Sequence, residues 1–384
     1  MRYDLTMQLS ELVQKLNDLA PLYLAEDWDN VGLLVGRSER EVSAVMLTID
    51  VTPDVVKEAI RAGVQVLIAY HPVIFHPLQR LCDDTPREKM LIDLLEAGIS
   101  VYSPHTALDA VQGGVTDWLC DGLAPAGDSG SGGDRRALIP FESLPPTEQC
   151  KLVTFVPHNE VERVRSALAT TGAGLIGNYE QCSFSVAGTG SFRGLEGAEP
   201  AIGEAGRLEH VREVRLEMVL SRASVPLALE TLQRFHPYEE PAVDIYDLRP
   251  RPERNRGTGR KIVLDQPVPF AEIVERMHQH LHQRFVKFRD MTGGKPLRTI
   301  GVVPGAGASL LPAAVEQGCE LFVTGEMKHH EVLNAALQGC SVLLAGHTNT
   351  ERGYLPTYAR QISEKCPDIK VHISKEDRTS LSLE

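Results

Sequence analysis

AIRAGVQVLIAYH, residues 59–71, is the stretch on which the fold turns. Ala62-Gly63 stops a helix, and 64–69 is a short run, apolar but for Gln65, of the kind that a parallel sheet buries on both faces. The pattern recurs at 314–322, AVEQGCELF, again a helix end, a glycine stop and a buried strand. The next unit recurs as well. Ala97-Gly98-Ile99-Ser100-Val101 parallels Gln338-Gly339-Cys340-Ser341-Val342, and the two strands lead into His105-Thr106-Ala107-Leu108-Asp109 and His347-Thr348-Asn349-Thr350-Glu351. A repeat at this distance is no solenoid and predicts two similar halves of one α/β body.

Outward from this stretch, a helix is predicted over 8–20 and strands over 33–35 and 44–49, with Thr52 capping a helix that has Pro53 at its first position. A helix at 87–97 and a strand at 100–103 follow. Between 122 and 146, GLAPAGDSGSGGD and LPP read as a flexible connection. From 151 the order is strand 151–156, helix 160–170, strands 183–189 and 213–220, helix 225–235 and strand 243–248, the β-α-β-β-α-β succession of a ferredoxin-like module. RPRPERNRGTGR, 249–260, reads as a second, solvated linker. The α/β alternation then resumes with helices at 270–284, 309–317 and 328–337 and strands at 298–303, 321–324 and 341–345, and a helix follows His347. The predicted fold class is α/β: a pseudo-twofold duplicated body, 1–125 with 255–384, carrying an inserted ferredoxin-like domain at 147–250, with linkers at 126–146 and 249–260.

Sites in open α/β sheets form beyond the carboxyl ends of the strands. His71 follows one such end, and Glu326, His329 and His330 follow its counterpart. Each half also supplies a His-x-x-x-acid pair, His105 with Asp109 and His347 with Glu351, and residues four apart in a helical turn share a face. A single histidine is more often satisfied by a buried hydrogen bond. Two pairs agreeing in residue type, spacing and strand-end position instead indicate a divalent cation, because imidazoles and carboxylates gathered at one locus need compensating charge. Such donors suit Zn, Mn, Fe, Co or Ni, and a carboxylate can bridge two ions. Weaker signals carry bland readings. His278, His280 and His282 read as packed or exposed on one helix. Pro304-Gly305-Ala306-Gly307-Ala308-Ser309 is a tight turn or an anion-holding turn, and Gly188–Gly206 and His236–Pro241 read as loops.

The 384 residues carry 39 Lys plus Arg against 52 Asp plus Glu, a formal charge of −13, which speaks against a general phosphate-backbone binder. DNA binding would have to come from shape alone. No apolar run reaches bilayer length, and the first twenty residues show neither a secretory nor a transit pattern. Seven cysteines, never in C-x-x-C spacing, exclude zinc knuckles and fit a reducing, cytoplasmic compartment.

At WDNVGLLVG (28–36), YHPVIFHPLQRL (70–81), SPHTALD (103–109), GNYEQCSFSVAGTGSFR (177–193), HPYEEPAVDIYDL (236–248), TGEMKHHEVL (324–333) and AGHTNTE (345–351) the chain resembles the Nif-three-like (NGG-interacting factor three-like) family of dinuclear-metal proteins. Bacterial members often carry the name type 2 GTP cyclohydrolase I. The inserted module is similar to that of the long members, and Tyr70-His71-Pro72 resembles the eukaryotic branch. The resemblance implies a homohexamer, a trimer of dimers, with two divalent ions per subunit on His71, Asp109, His347 and Glu351. Where the family pattern often has two adjacent histidines, this chain has Tyr70-His71, so one ligand is missing or replaced.

Two functions follow as expectations. The first is a metal-dependent hydrolase of a nucleotide or phosphoester, GTP cyclohydrolase type 2-like by resemblance, with His105 or His330 moving protons. The second is a non-catalytic, metal-stabilised interaction protein that binds transcription regulators, as eukaryotic-type members are described, with the nucleus as a further compartment.

Overall fold

Thr52 opens the first decisive helix as its composition requires. The threonine Oγ1 accepts the Val55 amide at 3.3 Å, Pro53 takes the first turn, and Gly63, at φ 66°, closes Pro53–Ala62 and turns the chain into the buried strand Val66–Ala69. Thr85 and Pro86 start Pro86–Glu96 in the same way. The computed structural model describes residues 6–124, 133–283 and 286–378. They form an α/β protein of several sheets, in two units: Met1–Phe141 with Glu253–Glu384, and Glu142–Pro252.

The first unit holds two larger sheets. One runs Lys370–Ile373, Ala44–Thr48, Val66–Ala69, Ser100–Ser103, Gly32–Val35, with all neighbours parallel until the last, antiparallel pair. Helices cover both faces. Leu9–Leu19 and Leu355–Lys365 bury Leu12, Leu16 and Ile362 on one side, while Pro53–Ala62 and Pro86–Glu96 bury Val55, Ala59, Leu91 and Leu94 on the other. The other sheet runs Lys287–Arg289, Ser341–Leu344, Leu321–Thr324, Leu297–Val303, Arg251–Val268, Asp134–Ser143, and its central three strands are parallel. Val115–Leu123 and Phe270–Leu281 pack on one face, and Leu311–Glu316 and His329–Leu337 on the other.

In the second unit, Cys150–Pro157, Val161–Ala169, Phe184–Arg193, Leu208–Leu220, Val225–Phe235 and Val243–Asp247 follow in that order. The four strands form one antiparallel sheet with Val243–Asp247 and Phe184–Arg193 at its edges and Cys150–Pro157 beside Leu208–Leu220 at its centre. Leu152, Leu216 and Met218 meet Val164, Leu168 and Leu232 of the two helices.

The predicted linkers need correction. Residues 126–132 lie outside the described residues, but Asp134–Ser143 and Arg251–Val268 are strands. The polar composition reads as solvated because its partners are not in the local sequence. Gly257 passes so close to a neighbouring strand that a Cβ there would lie 2.1 Å from the Ile139 carbonyl oxygen. Arg260, 1% exposed, donates to both Asp117 oxygens and to the carbonyls of Ala110, Val111, Asn255, Gly257 and Gly259. The predicted loop at 188–206 also begins as strand, because Phe184–Arg193 pairs with Leu208–Leu220 through its glycines. The helix expected over 270–284 is Phe270–Leu281, and residue 284 lies outside the described residues. Among the described residues, no helix is long and apolar enough to cross a membrane.

Candidate metal centre

His71 stands just past Val66–Ala69, where the Tyr70 and His71 amides extend the parallel ladder to Thr48 O and Ile49 O at 2.9 and 3.0 Å. Its Nδ1 lies 2.9 Å from Asp50 Oδ1 and its Nε2 3.5 Å from Glu351 Oε2. Burial lowers the imidazole's pKa, but the hydrogen bond to Asp50 and the nearby Glu351 carboxylate outweigh this and raise it to about 10. A metal takes the neutral imidazole, so a proton and a cation compete for His71.

His347 occupies the matching place beyond Ser341–Leu344, held by Ala345 N to Thr324 O (3.0 Å) and Gly346 N to Gly325 O (2.9 Å). Its Nδ1 lies 3.0 Å from Glu326 Oε1 and its Nε2 3.4 Å from Glu351 Oε1. Each imidazole thus has one nitrogen held by a carboxylate and the other aimed inward, the arrangement that orients a metal-ligating histidine. The turn Asn349–Arg352 brings Glu351 to the face of His347. Glu351 is 2% exposed, and its Oε2 has no hydrogen-bond partner. A buried carboxylate oxygen left in this way is costly, and a cation in front of it removes the cost. One donor atom each from His71, His347 and Glu351 lies within 4.8 Å of the others, so this set fits a divalent ion.

Gly305 makes room for this arrangement. At φ 61°, a Cβ there would stand 2.7 Å from Glu351 Oε1 and 3.2 Å from His347 Nε2. The Gly305 amide donates to Thr350 Oγ1 at 2.9 Å and the Gly307 amide to Thr324 Oγ1 at 3.0 Å. These amides serve a tight turn that lets backbone approach the centre, and neither is left for an anion.

The other predicted residues take different places. Asp109 is not in the three-residue cluster, and its Oδ1 accepts the Tyr70 hydroxyl at 2.6 Å. Desolvation drives the Asp109 carboxyl well above its usual range, although the Tyr70 hydrogen bond opposes this. His105, at φ 30°, is tied through Nδ1 to Asp29 Oδ1 at 2.7 Å, and its ring centre is 5.4 Å from that of His71. Desolvation raises the Asp29 pKa, but the bonds from His105 and Thr106 hold it below the ordinary value. His330 is exposed at the start of His329–Leu337, with its ring against His329. His280 packs on Trp118 with ring centres 4.6 Å apart, apart from the centre. Asp50, Asp29 and the role of Tyr70 escaped sequence reasoning. The available signal was position: Asp50 follows Ala44–Thr48 at the same end of the sheet as His71.

With this geometry in view, the profile of the Duf34/NIF3 (NGG1p interacting factor 3) family matches residues 7–380. The chain belongs to the Duf34/NIF3 family. Among Duf34/NIF3 relatives, the chain is 33% identical over 366 residues to a Bacillus subtilis protein called GTP cyclohydrolase 1 type 2 homolog, covering 95% of this chain and 94% of that one. A protein of the same name from Halalkalibacterium halodurans is 32% identical over 346 residues, 89% of this chain and 88% of its own. The crystal structure of a Bacillus cereus protein related to NIF3 superposes with a TM-score of 0.71 at 29% identity, over 99% of both chains. A Staphylococcus aureus crystal structure has a TM-score of 0.76 at 24% identity over 98% of this chain and 99% of its own, a likeness of fold.

Proposed function

We propose that this Duf34/NIF3 protein is a metal-dependent hydrolase of a nucleotide or phosphoester, holding two divalent ions (Zn, Mn, Fe, Co or Ni) with His71, Asp109, His347 and Glu351. The observation that carries the reading is the buried Glu351 carboxylate, one oxygen of which has no hydrogen bond, with His71 and His347 nitrogens 3.5 and 3.4 Å from it. The relatives' name, GTP cyclohydrolase 1 type 2 homolog, supports a purine nucleotide as substrate class. Divalent ions, when bound, lower the pKa of water and neutralise negative charge developing on substrate oxygens. Asp50 and Glu326 orient the two imidazoles, and His105, fixed by Asp29, moves protons, with His330 as the other candidate.

The wider proposal is a cytoplasmic homohexamer, a trimer of dimers, whose subunit is a duplicated α/β body (1–125 and 255–384) with a ferredoxin-like insert (147–250). The matching placements of Val66–Ala69 beside Ser100–Ser103 and of Leu321–Thr324 beside Ser341–Leu344 support the duplication, and the β-α-β-β-α-β order supports the insert.

A second reading, a metal-stabilised interaction protein that binds transcription regulators and also enters the nucleus, is favoured by one observation: Tyr70 holds Asp109. Elemental analysis of protein purified without added metal, with turnover on nucleotides and phosphoesters for wild type and Glu351→Ala, tests both. Metal and turnover lost together in the variant support the hydrolase. Stoichiometric metal without turnover in the wild type selects the interaction protein.

A further inference from the structure

Asp109 is bonded to the residue next to His71, yet among the described residues the converging donor set is His71, His347 and Glu351. Asp109 is instead bonded to Tyr70. The phenol ring is 4% exposed, its hydroxyl donates to Asp109 Oδ1 at 2.6 Å, and its ring centre lies 5.1 Å from that of His71 and 5.5 Å from that of His105. Backbone geometry fixes it there: the Tyr70 amide donates to Thr48 O at 2.9 Å, and its carbonyl accepts the Ser103 hydroxyl at 2.8 Å.

A carboxylate that chelates one ion engages both oxygens, and an oxygen that already accepts a short hydrogen bond has less to offer a cation. Asp109 Oδ1 already accepts a buried donor, so a metal that draws on this carboxylate competes with the phenol. Resting on the metal-binding reading above, we propose that Tyr70 makes the centre fill in two unequal steps: His71, His347 and Glu351 hold one divalent ion tightly, and a second binds more weakly because it competes with the Tyr70 hydroxyl for Asp109. Tyr70 is thus a positioning residue that sets metal stoichiometry. Hydrogen bonds to charged groups, when lost, shift equilibria by about ten- to a hundredfold, which is the expected gap imposed on the second step.

The test is titration of chelator-treated, full-length protein with Mn2+ alone, counting bound ions by electron paramagnetic resonance and calorimetry. Wild type is expected to bind one ion tightly and a second weakly. Tyr70→Phe, which keeps the ring and removes the donor, is expected to tighten the second step about ten- to a hundredfold with the first unchanged. Asp109→Asn is expected to lose the second ion and retain the first, which keeps the idea testable if the phenylalanine variant folds poorly. Two equal sites in wild type that Tyr70→Phe leaves alone would overturn the inference, as would loss of the first ion in Tyr70→Phe, which would make the phenol itself a ligand. Folded wild type that binds no Mn2+ would instead remove the metal-binding reading itself.

Discussion

At the scale of single residues, the centre depends on what is absent as much as on what is present. Gly305 lets the backbone pass Glu351 and His347 where a methyl group would collide, at a φ that a side chain resists. Gly305→Ala is therefore expected to cost about 1–3 kcal/mol of stability from backbone conformation alone and to displace Glu351, reducing metal content. Chemical denaturation and elemental analysis of the same preparation check this, and an alanine variant with full metal content would show that the close approach does not matter. His71, His347 and Glu351 were legible in the sequence because each sits at a fixed offset from a strand end. Asp50 and Asp29 were missed, although Asp50 also follows a strand end, and Tyr70 was marked only as a departure from the family pattern, since its bond to Asp109 joins segments distant in the chain.

At the scale of elements, the apolar runs and glycine stops were read to within a few residues: Ser100–Ser103 and Leu321–Thr324 lie where the pattern put them. The failure was Arg251–Val268, whose first half has the composition of a solvated linker. Its central device is Arg260, buried against Asp117 and five backbone carbonyls. Removing one partner of such a pair leaves the rest buried and unsatisfied, so Arg260→Met is expected to destabilise the protein by about 3–5 kcal/mol. Urea unfolding of the purified variant measures it, and a loss below about 1 kcal/mol, the range of exposed ion pairs, would return Arg260 to an ordinary surface role.

At the scale of the molecule, every donor of the candidate centre belongs to the unit formed by Met1–Phe141 and Glu253–Glu384. Replacing 142–252 by a short Gly-Ser connection, feasible because Asp134–Ser143 and Arg251–Val268 are neighbours in one sheet, is expected to leave metal stoichiometry unchanged. Elemental analysis beside circular dichroism decides it: a folded body without metal would show that the second unit is needed for binding. Within the first unit, two sheets each send one histidine forward, His71 from one and His347 from the other, so an ion held by both would tie the sheets together. The amino-acid sequence by itself determined the α/β alternation, the repeat and the strand-end histidines, because apolar periodicity, helix caps and glycine stops act over a few residues. Only the tertiary structure decided that Glu351 rather than Asp109 faces both imidazoles and that an arginine-rich segment is a strand, because hydrogen bonds between distant segments are selected by packing, which no local stretch encodes.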